Sequence, residues 1–340
     1  MNYFAPVLND LEEWKPFIDH VTRDATRTIA ALKDGCTPDG EIAVPRFQQV
    51  MDDLWLNGAN SLQAQFPNQN KMVRRYYLER IAPLLQESVF WHRCTTKPRG
   101  YAGDYLMMDM IYGNRPLPVG STQAFSSHLD RWFLNTPTAQ ACRHRHEWLA
   151  GKLALGCADG VRKIASLACG PCRELATLLD RQGELQHPLE GDLFDFDTEA
   201  LDYARRLLEP RLGSLVRLKF QQANLLKAIR QSGQISPPEQ YDLIYCSGFA
   251  DYLSDVALHR LLKSVYELLK PGGVLLLAQF LDRPDHPDRS AMQWGMDWNL
   301  VYRTKPELQT AFAQSPFGNQ VQIEAEPLGL IAFCEVRRTQ

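Results

Sequence analysis

The spacing of apolar residues divides this chain into two halves of different rhythm. Over Leu11–Leu32, Trp14, Phe17, Ile18, Val21, Ala25 and Ile29 recur at helical intervals and form one stripe, which predicts an amphipathic helix. The segment after Pro45 repeats the spacing with Phe47, Val50, Met51, Leu54 and Trp55. Asn70–Trp91 does so with Met72, Val73, Tyr76, Tyr77, Leu84 and Leu85, and Pro83 predicts a kink there. Ser121 or Thr122 is placed to cap a further helix, and Thr138–Leu153 reads as a long helix leading into the second half. The stripes are burying faces, so residues 1–150 are expected to form an all-helical domain.

Beyond residue 150, short β-rich apolar runs alternate with helical patterns. Strands are predicted at Ile164–Ala168, Gly191–Phe196, Leu215–Gln221, Tyr241–Cys246 and Val274–Gln279, with helices at Arg173–Leu179, Thr198–Leu208, Asp255–Leu269 and Lys305–Ala313. Ser254 starts the third of these helices and Pro271-Gly272-Gly273 stops it. Val321–Glu324 and Leu330–Val336 close the chain as a hairpin. Alternating β and α units bury a mostly parallel sheet under helices on both faces. The expected fold is therefore α/β, a doubly wound, mostly parallel seven-stranded sheet over residues 151–340, with the last strand antiparallel.

Composition narrows the partners. Thirty-seven basic residues against 40 acidic ones give −3, without the clustered positive charge that phosphate backbones demand, so no nucleic-acid partner is expected. The most apolar stretch, Gly272–Leu281, is too short to span a bilayer. Eight cysteines in 340 residues are too sparse for a disulfide scaffold, and no basic segment followed by an apolar run opens the sequence. Reduced thiols and a cytoplasmic location are the expectation.

Candidate chemistry concentrates at the first βα turn. Ile164-Ala-Ser-Leu-Ala-Cys-Gly-Pro-Cys-Arg-Glu-Leu175 is a strand, a turn containing Gly170 and a helix start, and ligands of such sheets sit at the carboxyl ends of the strands. Asp195 ends the second strand, where its carboxylate can accept two hydrogen bonds from ribose hydroxyls, while Asp197 reads as a helix N-cap. Phe196 can lie on an adenine face, and the amide of Asn224, after the third strand, can read the adenine edge. A dinucleotide fingerprint needs Gly-x-Gly-x-x-Gly to seat a pyrophosphate, but here Pro171 removes a donor and Arg173-Glu174 occupies the helix start. The turn suits S-adenosylmethionine, which carries no phosphate.

On these residues the chain resembles the class I S-adenosylmethionine-dependent methyltransferases over most of 160–340. Ser166-Leu-Ala-Cys-Gly-Pro-Cys-Arg-Glu174 stands as the cofactor loop, Asp195 as the ribose acid, Tyr241-Asp-Leu-Ile-Tyr-Cys246 as the fourth strand and Leu268-Leu-Lys-Pro-Gly-Gly-Val274 before the fifth. The resemblance implies cofactor contacts from Ser166, Ala168, Cys169, Gly170, Glu174, Asp195, Phe196, Asn224, Cys246 and Ser247, and S-adenosylhomocysteine as product. Two departures stand out: Ala168 and Cys172 occupy glycine positions, and Ser166 replaces the usual acid near the methionine amino group. Three further segments, Lys97–Tyr112, Tyr245–Asp255 and Asp297–Arg303, resemble a bacterial group associated with biosynthesis of extracellular-factor 3-hydroxypalmitic acid methyl ester. That resemblance implies methylation of a fatty acid carboxylate, free or on a carrier protein.

Gly100 and Gly103 flank Tyr101, and Asp104 follows, a loop able to hold an aromatic and a carboxylate over a pocket. Tyr101, Asp104, Asp297 and Arg303 are the candidate catalytic residues, with Tyr112, Tyr252, Trp298 and Tyr302 as acceptor-binding residues. Arg303 could fork onto an acceptor carboxylate or pair with Asp297; a hydroxyl acceptor would need Asp104 or Asp297 as base. The helical domain is expected to act as a lid. Cys169-Gly-Pro-Cys172 also spells a thioredoxin motif, but that reading lacks a preceding Trp and leaves Asp195 unexplained. His144 and His146, two apart on a helix, face different directions and do not predict a metal site, and Arg143–Glu147 reads as a solvated face. Two rivals use the same pocket: aminocarboxypropyl transfer or cyclisation of the cofactor, and a non-catalytic binding module.

Overall fold

The computed structural model describes residues 14–34, 44–65, 70–116, 124–183, 185–230 and 237–339. The expected caps Ser121 and Thr122, and the first residues of the helix expected from Leu11, lie outside the described residues. The chain forms two compact units, Met1–Gln140 with Asp285–Asn299, and Ala141–Pro284 with Leu300–Gln340. The division falls inside a helix, ahead of the expected boundary at residue 150, and Asp285–Asn299 packs with the helical unit.

In the first unit, the helices are α1 (Trp14–Asp34), α2 (Val44–Met51), α3 (Gly58–Gln65), α4 (Asn70–Leu85), α5 (Val89–Thr96), α6 (Tyr105–Gly113) and α7 (Ala124–Leu134). The stripes read from sequence supply the core: Trp14, Ile18 and Ile29 of α1, Met51, Leu54 and Trp55, and Val73 and Tyr77 of α4 are buried. Met72 is the exception, 58% exposed. Phe133 joins the core elements, edge-on to Trp55 and stacked on Phe90, each at 5.4 Å between ring centroids. Pro83 lies two residues from the end of α4, and the stretch expected as one kinked helix divides after it into α4 and α5.

The second unit carries most of α8 (Pro137–Ala158), then β1 (Lys163–Leu167), α9 (Arg173–Gln182), β2 (Leu189–Asp195), α10 (Thr198–Leu208), β3 (Val216–Gln222) and α11 (Leu225–Arg230). There follow β4 (Tyr241–Ser247), α12 (Asp255–Leu268), β5 (Leu269–Phe280), α13 (Lys305–Ala313), β6 (Gln322–Ala325) and β7 (Ile331–Arg337). The sheet order is β3-β2-β1-β4-β5-β7-β6, parallel through the first five strands and antiparallel at β5–β7 and β7–β6. Period-two alternation sorts the strand residues between two layers. Ile164, Leu193, Leu243 and Tyr245 pack with α8, α9 and α10. Ala165, Leu167, Ile244, Cys246 and Leu277 pack with α11, α12 and α13.

Helix starts follow side-chain chemistry. Asp197 accepts the Glu199 N–H at 2.9 Å and caps α10, and Thr304 and Glu307 form a reciprocal capping box on α13. Ser254 caps α12 as expected. Pro271-Gly272-Gly273 does follow the end of that helix, but the chain enters the ladder earlier than expected: Leu269 already pairs with Tyr241, and a register shift absorbs the turn before Val274.

Candidate cofactor and acceptor site

The chain crosses from one side of the sheet to the other between β1 and β4, which lie side by side, so a crevice opens at their carboxyl ends. The loop after β1 fills its mouth. Ala168, Gly170 and Cys172 have φ of +56°, +52° and +55°. Left-handed backbone costs a residue with a Cβ about 1–2 kcal/mol, so Ala168 and Cys172 hold a glycine conformation because the surroundings impose it. The constraint is visible: Cys169 N–H donates to the Phe194 carbonyl at 2.9 Å, Gly170 N–H to Asp195 Oδ2 at 2.9 Å, and Cys172 N–H to the Cys169 carbonyl at 3.1 Å. A Cβ on Gly170 would meet no atom within 4 Å, so the loop faces open space there.

Asp195 is the last residue of β2 and 5% exposed. Its Oδ2 holds the Gly170 amide and its Oδ1 accepts the Asp197 N–H at 3.0 Å. Burial raises its carboxyl above the usual range, against the lowering effect of these amides. Each carboxylate oxygen has a second lone pair, so the clasp leaves acceptor capacity for two hydroxyls. Phe196 beside it is 50% exposed. Asn224 is exposed just before α11, and its Oδ1 caps that helix by accepting the Lys227 N–H at 2.9 Å, with the amide nitrogen left to donate to an adenine edge.

Below the loop, Ser166, Tyr245, Cys172 and Glu174 form a buried polar string. Tyr245 hydrogen-bonds Ser166 and Glu174, and its hydroxyl lies 3.7 Å from Cys172 Sγ. Burial raises the Glu174 carboxyl and takes the Cys172 thiol well above its ordinary range. At Cys169 the hydrogen bond with Cys172 lowers the pKa, but burial and the Asp195 and Glu174 carboxylates outweigh it. These are poor thiolates, the opposite of what dithiol exchange needs. Cys246 belongs to the core layer with α12, its thiol pushed up to about 12 by burial, so the side chain expected to meet cofactor points elsewhere. Ser247, next along, has a buried Oγ with no hydrogen-bond partner.

The stretch Arg143–Glu147, expected as a solvated face, is buried at two positions. Within Arg143–Glu147, Arg145 is 3% exposed and His146 7%. His144 pairs with Glu326 at 2.7 Å, and His146 Nε2 meets Thr177 Oγ1 at 3.0 Å. The guanidinium of Arg145 lies over Gly248, where a Cβ would come within 3.2 Å of it, and 3.8 Å from Asp251. A signal was present: Ala141, Cys142, Leu149 and Leu153 are buried at helical spacing, and Arg145 lies on that same face.

Several expected catalytic residues make contacts that hold the fold. Asp104, 1% exposed, N-caps α6 by accepting the Leu106 and Met107 amides at 3.1 Å and is ion-paired with Arg93 at 2.8 Å. It is not placed as a base. Arg303 is committed inside the second unit: Nε to Asp255 at 3.0 Å, Nη1 to Gln279 Oε1 at 2.8 Å and to the Ala250 carbonyl, Nη2 to the Leu253 carbonyl. It neither forks onto an open pocket nor pairs with Asp297. Asp297 (φ +50°) bonds Lys97 and Asn299 and lies 3.3 Å from Arg74. Burial acts to raise its pKa, but Lys97 and Arg74 hold it below the usual carboxylate range, which unfits it as a base.

The aromatic candidates divide between the units. In the first, Tyr101 and Tyr112 are half-buried, and Trp298 packs on Gly103, where a Cβ would lie 2.3 Å from the indole. Trp298 lines a small apolar hollow with Trp55, Phe90, Ile111, Met292 and Met296. In the second, Tyr252 is 40% exposed after β4, and Tyr302 is buried edge-on to Phe280 at 6.1 Å. No helix among the described residues is long and apolar enough to cross a membrane.

Comparison with known proteins agrees with this architecture. No curated protein sequence matches the chain. Over its full length it is similar in fold to a possible exported protein from Bordetella parapertussis (18% identity, TM-score 0.56, covering 97% of this chain and 98% of that one). More distant likenesses are an O-methyltransferase family protein from Burkholderia thailandensis (20% identity, TM-score 0.44, 62% and 63% covered) and the N-methyltransferase NodS from Bradyrhizobium japonicum, solved with S-adenosylhomocysteine (17%, 0.40, 62% and 93%). Residues 166–275, from the buried serine of β1 into β5, match the family model described as a methyltransferase domain.

Proposed function

We propose that this protein is an S-adenosylmethionine-dependent methyltransferase that methylates an oxygen, a carboxylate or hydroxyl, of a small or lipid-like acid in the cytoplasm. The observation that carries the reading is the Asp195–Gly170 clasp: a β2 carboxylate with lone pairs to spare, fastened to a loop of three left-handed residues, inside the segment matched by a methyltransferase domain. The residues present fit the cofactor. Asp195 takes the ribose hydroxyls, Phe196 offers an exposed face for adenine, the space beyond Gly170 is open, and the partnerless Ser247 Oγ waits at the tip of β4.

The cofactor supplies an electrophilic methyl group on a sulfonium that is already a good leaving group. The protein's work is then positioning, which is worth roughly 7–11 kcal/mol when two reactants are held in line. A carboxylate acceptor is ionised at neutral pH and needs no base, in keeping with Asp104 and Asp297 being tied up in ion pairs. Within the first unit, the hollow beside Trp298 is apolar and supports an apolar acceptor. Ala168 and Cys172 keep the glycine-type loop conformation, which counts against a binding module that has lost the methionine end. Incubation with labelled S-adenosylmethionine and a panel of fatty and hydroxy acids tests the proposal. S-adenosylhomocysteine and a methyl ester or ether are expected; methylthioadenosine as the nucleoside product would refute it.

A further inference from the structure

The buried arginine of α8 has no part in the reading so far. Arg145 is 3% exposed. Its guanidinium covers Gly248, whose φ of +87° and missing Cβ make the room, directly after the tip of β4. Ser247 and Gly248 are part-exposed, and the buried Ser247 Oγ has no partner. Asp251 faces Arg145 with its Oδ2 at 3.8 Å, while its Oδ1 accepts from the Phe280 amide and the Gln279 side chain of β5. Glu174, 6% exposed at the start of α9, is near enough for the charge of Arg145 to act on its carboxyl. Arg145 thus lies at the tip of β4, over the residue that follows Ser247, and Glu174, hydrogen-bonded by Tyr245, stands at the start of the helix after β1.

Taking a guanidinium out of water costs several kcal/mol unless charged or polar partners compensate. Arginine's planar fork matches a carboxylate in two-point fashion. The complementary ligand group is an amino acid zwitterion: a carboxylate for Arg145 and Ser247, an ammonium for Glu174. On the proposed function, which this inference rests on, the group available there is the methionine end of the cofactor. We infer that Arg145 is the carboxylate anchor of that end, with Ser247 as second donor and Glu174 facing the ammonium, in a chain where Ser166 stands in place of the usual acid. The sequence departure at Ser166 then has a physical counterpart: recognition of the amino acid end has moved from β1 to α8 and α9.

The test compares S-adenosylhomocysteine, its decarboxylated analogue and methylthioadenosine by calorimetry on the wild type, Arg145→Met and Arg145→Lys. The expected wild type binds S-adenosylhomocysteine at least tenfold more tightly than either analogue. Arg145→Met is expected to bind S-adenosylhomocysteine and its decarboxylated analogue alike, with the affinity for methylthioadenosine unchanged from wild type, while Arg145→Lys recovers part of the difference. Equal wild-type affinity for S-adenosylhomocysteine and its decarboxylated analogue would overturn the assignment without any variant, so it stands or falls even if Arg145→Met does not fold. A variant that weakens methylthioadenosine as much as S-adenosylhomocysteine would overturn it too, marking Arg145 as structural. So would an unchanged S-adenosylhomocysteine affinity with a raised KM for an acid acceptor, which would give the arginine to the acceptor's carboxylate. No binding of any of the three would instead sink the proposed function itself.

Discussion

Arg303 shows what a buried cation looks like when its job is structural. Its donors reach Gln279 Oε1, the Ala250 and Leu253 carbonyls and Asp255, and the first three of these residues are at most 1% exposed. Removing the fork leaves several buried acceptors unpaired, at about 1–3 kcal/mol each. Arg303→Met is therefore expected to lower unfolding stability by about 3 kcal/mol or more in urea titrations, with nucleoside affinity in the folded fraction unchanged. Stability within about 0.5 kcal/mol of wild type, the range of an ordinary surface change, would show that the network is not holding β5 to the loops after β4. Arg145 differs in lying over Gly248 at the tip of β4, one residue beyond Ser247, whose buried hydroxyl has no partner. The sequence could not separate the two arginines, because composition and spacing do not reveal where a guanidinium's donors go. Nor could it foresee Asp104 as a cap: Asp before a helix fits both roles, and Arg93, eleven positions earlier, decides between them through an ion pair the turn creates.

At the scale of elements, α8 carries one buried face from Ala141 to Leu153, and two charged-type residues lie on or beside it. Burial lowers His146 to about 4, beneath the 6.5 of an ordinary histidine. The unfolded chain therefore takes up this proton before the folded one, and acid favours unfolding between those values. Stability is expected to fall by roughly 1–3 kcal/mol from this residue as pH drops from 6.5 toward 4, and His146→Gln should flatten that part of the profile. An identical slope in both proteins would mean that His146 is already solvated. The element pattern itself was largely legible: α10 and α13 have the bounds expected, as does the hairpin to within a residue, because caps and period-two runs are local signals. Helix α11 escaped because six residues give too little periodicity, and β5 began early because pairing with β4 overrides the Pro-Gly-Gly turn.

For the whole molecule, the informative discrepancy is the placement of Asp285–Asn299. It follows β5 in sequence and packs with the helices of the first unit, where Trp298 lies against Gly103 and Asp297 bonds Lys97. Long-range packing of this kind leaves no trace in local spacing. The glycine-flanked loop before Asp104 and the segment from Asp297, which both stood out in sequence, are explained first by each other: Gly103 is small because Trp298 needs its space. The nucleotide end of the candidate site was legible because a strand-turn-helix with an acid on the next strand is a local pattern, and its geometry follows from the sheet. Acidification gives a check on that acid, since its raised pKa means that affinity for a nucleoside should weaken at a higher pH than an exposed aspartate would allow. The most direct measurement is calorimetric titration of S-adenosylhomocysteine into the wild type and a folded Asp195→Ala variant. The account predicts a dissociation constant at least tenfold weaker in the variant, the loss of about 1.5 kcal/mol of charge-assisted hydrogen bonding to the ribose. An unchanged constant would contradict it.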